Sequence, residues 1–107
     1  MLDWYFIESL FPKSLNLFSK TMFPNVGLPS LSVLQYYDIK KLYNFFDRNG
    51  IYLTVEMLTK NRWVYNISMN DSRVIFPCQE PKLNRELTEI DGFFECFKLL
   101  EIKLNLV

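Results

Sequence analysis

The stretch Leu42–Met57, LYNFFDRNGIYLTVEM, decides how this chain is built. Its hydrophobic period changes halfway along. Before the change, Ile39, Leu42, Tyr43 and Phe46 recur at the i, i+3, i+4, i+7 spacing of one buried helix face. Lys40, Lys41, Asn44 and Asp47 fall on the other side. After it, Ile51, Leu53, Val55 and Met57 alternate with Tyr52, Thr54 and Glu56, the period of a half-buried strand. Asn49-Gly50 lies between them and supplies the left-handed residue that ends helices. The aromatic crowd is therefore the core stripe of a helix, and Asn-Gly is its stop.

Upstream, Asp38 is suited to cap this helix, with Tyr37 and Leu42 as a hydrophobic staple. Downstream, Thr59-Lys60-Asn61 reads as a turn. Trp63, Tyr65, Ile67 and Met69 form the inner face of a second strand, and Trp63 is expected to anchor the core. Asn70-Asp71 is a hairpin signal. A third strand is expected from Arg73 to Cys78, with Val74 and Phe76 inward and Pro77 near its end. Residues 79–87 read as a connection. Thr88 to Asp91 is a variant capping box, and Ile90, Phe93, Phe94, Phe97, Leu100 and Leu104 mark a wide apolar helix face. Gly92 costs this helix roughly 1 kcal/mol relative to alanine, so it implies close approach to the sheet. The expected class is α+β: a three-stranded antiparallel meander flanked by helices in α-β-β-β-α order.

Residues 34–107 would form that core within a single domain, 1–107. Residues 1–33 form an apolar N-terminal arm, set off by Pro24, Gly27 and Pro29. Leu2, Trp4, Tyr5, Phe6, Ile7, Leu10 and Phe11 point nearly all round a short helix, the pattern of a buried one. The arm has three destinations: the outer sheet face, the helical layer, or another subunit.

Composition narrows the chemistry. The chain has 12 basic and 12 acidic residues and no histidine. Without histidine, Ser-His-Asp and Cys-His nucleophile pairs and the histidine-containing zinc sets are impossible. Zero net charge gives no expectation of nucleic-acid binding. The helix–three strands–helix order over residues 38–104 resembles the double-stranded-RNA-binding domain in topology. That family grips phosphate with lysines at the start of its last helix, where this chain has Thr88, Glu89, Ile90 and Asp91. Cys78 and Cys96 are read as two packed thiols rather than a disulfide. Glu86, Glu89, Asp91 and Glu95 are read as helix-end charge compensation rather than a metal site. The segment MLDWYFIESLFP carries Asp3 and Glu8 without an early basic residue, unlike a signal peptide. No apolar run reaches the roughly 18 residues of a membrane span. A cytoplasmic protein is expected, without catalytic, cofactor or metal site. Abundant Asn, Lys, Ile and Phe with no alanine point to an AT-rich coding sequence, as in a phage or mobile element.

Two functional readings follow. In the first, the chain is a non-enzymatic protein-interaction protein that docks on a host protein or on itself, with Trp4, Tyr5 and Phe11 of the arm as contacts. In the second, it binds a small molecule or nucleic acid on the outer sheet face, through Tyr52, Arg62, Asn66 and Arg73.

Overall fold

The computed structural model describes residues 2–23, 39–70, 72–75 and 80–106. The class is α+β, with four helices and an antiparallel sheet among these residues: α1 (Trp4–Leu10), α2 (Pro12–Met22), α3 (Ile39–Arg48), β1 (Ile51–Thr59), β2 (Arg62–Met69), a short segment β3 (Ser72–Ile75) and α4 (Arg85–Asn105). The sheet is chiefly the β1–β2 ribbon. It pairs from Ile51 opposite Met69 to Met57 opposite Trp63, and its register shifts before Thr59 meets Arg62. β3 meets β2 at Ile67–Ile75 and Met69–Ser72. Tyr37, Asp38 and residues 76–79 lie outside the described residues, as do the proposed staple, the cap and the end of the expected third strand.

The α3–β1 junction falls where the period change puts it, but Ile39 of the expected stripe is exposed and Phe45, outside that stripe, is buried. Leu42, Phe45 and Phe46 are buried. Gly50 ends the helix at φ 74°, and its N–H donates to Asp47. A Cβ at Gly50 would meet Asn70 Nδ2 at 2.7 Å, so both conformation and space favour glycine there. Asn61, at φ 59°, turns β1 into β2.

α3 and α4 lie on the sheet, and the α1–α2 pair packs on α4 and α3 from the other side. Residues 2–23 of the arm therefore join the helical layer and close the core. Trp4, Ile7, Phe11, Leu15 and Phe18 are all inside it. Phe18 meets Phe45 edge-on at 5.1 Å, and Trp4 meets Phe97 at 5.9 Å. α4 touches the sheet on one side and the arm on the other, which explains the width of its apolar face.

Two expectations are corrected. α4 starts before the Thr88 box: Asn84 caps it by accepting the Leu87 N–H at 2.8 Å. Thr88 instead sits buried inside the helix, its hydroxyl donating to the Asn84 carbonyl. Trp63 does not anchor the core. It is half-buried toward the hairpin tip, opposite exposed Met57, and exchanges two backbone hydrogen bonds with Lys82. Gly92 has the role its position implies, since a Cβ there would lie 2.7 Å from Leu53 Cδ1.

Candidate interaction surface

The two sides of α1 have different fates. Asp3 caps the helix by accepting the Phe6 N–H at 3.1 Å, which fixes where the turns begin. From that start, Trp4 and Ile7 point inward, followed by Phe11 at the helix end. Tyr5, Phe6 and Leu10 point outward and are 65%, 51% and 46% exposed. Of the arm's sequence candidates, Trp4 and Phe11 are thus core residues, and Tyr5 is on the surface.

The outward face of α1 continues onto α4. The Phe6 ring stacks on Phe94 at 5.6 Å, and Phe11 meets Phe94 edge-on at 5.1 Å. Phe94, Ile90 and Leu87 follow one another at helical spacing. Leu87 is half exposed, and Leu83 just before the helix is more so. The result is a stripe of apolar side chains running from Leu10 through Phe6 and Phe94 to Ile90 and Leu87. Phe6, Leu10, Leu83 and Leu87 were not among the contact residues expected from sequence. The 87, 90, 94 spacing was a usable signal, but reading residues 79–87 as a connection hid its first member.

The nearby charges are engaged. Asp91 pairs with Lys82 at 2.8 Å, and Glu95 lies 3.8 Å from Lys98. Glu89 accepts the Tyr43 hydroxyl at 2.7 Å. Asp91, Glu95 and Glu89 thus go to different partners instead of converging.

The outer sheet face is open but dispersed. Asn66 donates to Glu56 at 2.7 Å. Tyr52 stands opposite Ser68, and Arg62 opposite Thr59. Tyr52 and Arg62 are therefore strung along the ribbon at roughly 20 Å, too far apart to share a small ligand. Arg73 lies in β3, where the backbone alone is described.

Two phenols and one thiol inside the fold are held neutral. Burial, then the hydrogen bond to Glu89, raises the Tyr43 phenol well above its ordinary value. Burial, with Glu95 and Asp91 nearby, pushes Tyr65 up to about 12. Cys96 is a free, fully buried thiol whose pKa is raised by burial, the opposite of an activated nucleophile. Cys78 lies outside the described residues. An open hollow of about 380 Å³ at the α1–α2 junction is lined by Glu8, Pro12, Lys13, Leu15 and Asn16. No described helix is long and apolar enough to cross a membrane. Comparison with protein families, curated proteins and solved structures finds no match for this chain.

Proposed function

We propose that this chain is a small, non-enzymatic protein-interaction protein that acts in the cytoplasm and docks on a larger protein through the α1–α4 stripe. The exposure of Tyr5, Phe6, Leu10 and Leu87 around the Phe6–Phe94 stack carries the proposal. Grouped apolar exposure on a small domain marks contact surfaces far more often than isolated leucines do. The lack of histidine and the inert setting of Cys96 support a role without catalysis. The AT-rich composition supports a phage or mobile-element origin and a host protein as partner. In this reading residues 1–107 are one domain, and Ser72–Ile75 is the third strand of an antiparallel meander.

Affinity capture from lysate tests the reading, with wild-type protein and the Phe6→Glu/Leu87→Glu variant as baits. Eluates are examined for protein and for nucleic acid. Recovery of a stoichiometric protein by wild type, and its loss with the variant, is the expected result. Equal recovery by both baits refutes the stripe as the contact. Nucleic acid in both eluates favours the outer sheet face.

A further inference from the structure

A second surface, independent of the stripe, lies along β1. Among the described residues, in the sheet order β1-β2-β3, β1 has a hydrogen-bonded neighbour on one side only. Two observations fix which backbone groups face the other side. The Asn70 N–H donates to the Gly50 carbonyl, which turns the backbones of Tyr52, Thr54 and Glu56 toward β2. Trp63 uses both its backbone groups on Lys82, so neither is available to Met57 opposite it. The N–H and C=O groups of Leu53, Val55 and Met57 therefore point outward, and among the described residues no hydrogen bond reaches them.

The register shift between Met57 and Thr59 protects one end of this edge, and the stretch before it carries little further protection. Along Ile51–Thr59 there is no proline and no lysine, and Glu56 is the single charge. Met57 and Leu58 are 55% and 56% exposed, and Tyr52 is 39% exposed.

We infer that β1 is a self-pairing edge, and that its occupant is β1 of a second copy, antiparallel about a two-fold axis through Val55. Val55 is the middle residue of the strand, so this register pairs the regular stretch Leu53–Met57 with itself. Val55 faces Val55 and Leu53 faces Met57 as narrow pairs, each exchanging both backbone hydrogen bonds. On the outer face Glu56 faces Thr54. Exposed Met57 thus finds an apolar partner in Leu53, and no like charges meet. An axis through Glu56 would instead oppose two carboxylates and shorten the overlap. Isologous pairing of this kind closes after two copies.

Sedimentation velocity on the full chain over a concentration series tests the inference, starting from a 12.9 kDa monomer. Three variants accompany wild type, each checked for fold by circular dichroism. Thr54→Glu places a carboxylate opposite Glu56 at two symmetric positions and should weaken the dimer about tenfold. Thr54→Lys places opposite charges there and should tighten it by a similar factor. Val55→Pro removes an N–H that the monomer's own ladder does not use and should abolish the dimer. Phe6→Glu on the stripe should leave it unchanged. A wild type that stays monomeric throughout overturns the inference. A dimer that ignores all three strand variants, or that Phe6→Glu dissociates, also overturns it.

Discussion

The arm is fastened to α4 by Glu101, and removing that carboxylate should loosen the whole N-terminal pair of helices. α2 begins at Pro12, and its N-cap, Phe11, offers no side-chain acceptor. The missing acceptor comes from the far end of the chain. Glu101 Oε1 accepts the Ser14 N–H at 2.8 Å, while the Ser14 hydroxyl donates to the Phe97 carbonyl at 3.0 Å. Ser14 and Glu101 are both buried. Glu101→Ala deletes a charge-assisted bond and strands a buried N–H, a loss of about 2 kcal/mol. Glu101→Gln keeps an acceptor but removes the negative charge from the positive end of α2, a loss of about 0.5–1 kcal/mol. At this size 1 kcal/mol moves the midpoint about 4 °C, so the alanine variant should melt about 8 °C below wild type and the glutamine variant about 3 °C below. Thermal and urea unfolding at neutral pH read both. Equal losses for the two variants, or losses below about 0.5 kcal/mol, would refute the capping argument.

Two further outcomes rest on packing and on titration. Gly92→Ala gains roughly 1 kcal/mol of helix propensity but loses about 1–3 kcal/mol where its methyl meets Leu53, for a net loss on the order of 1 kcal/mol. Leu53→Ala should cost less in that background than in wild type, which a double-mutant cycle by urea unfolding measures. The buried tyrosines predict alkaline lability. Tyr65 titrates near 10.0 when unfolded and near 12 when folded, so above pH 10 the unfolded state has lost a proton that the folded state keeps. Stability from this group is complete below pH 10 and falls as pH rises toward 12. Phenolate absorbance should show a late, unfolding-coupled transition, and Tyr65→Phe should flatten the decline in stability over that window.

What the sequence made legible was local. The period change across Gly50 located α3 and β1, and the clash test at Gly92 agrees with the close approach its position implied. The Thr88 box misplaced the start of α4 because two capping signals compete within five residues, and Asn84 won with its own side chain. Trp63 was misplaced because size suggests burial but does not say how far the helices extend along the ribbon. The arm was the hardest part. Trp4, Tyr5, Phe6 and Ile7 are consecutive apolar residues, so periodicity alone does not choose an inward side. That choice rests on Phe97, Phe45 and Glu101, all distant in sequence. The interaction stripe was illegible for the same reason, since it arises where α1 happens to cross α4. Among the outer-face candidates, the alternation placed Tyr52 and Asn66 correctly on the ribbon. It gave no distance between Tyr52 and Arg62 to show that they do not converge.

The most direct test of the docking surface is site-specific photo-cross-linking in lysate. A photoreactive residue is placed at Leu87, on the stripe, and in a second protein at Asn44, exposed on α3. A discrete adduct with one partner is expected from position 87 and none from position 44. Adducts of the same mass from both positions, or from position 44 alone, would contradict it.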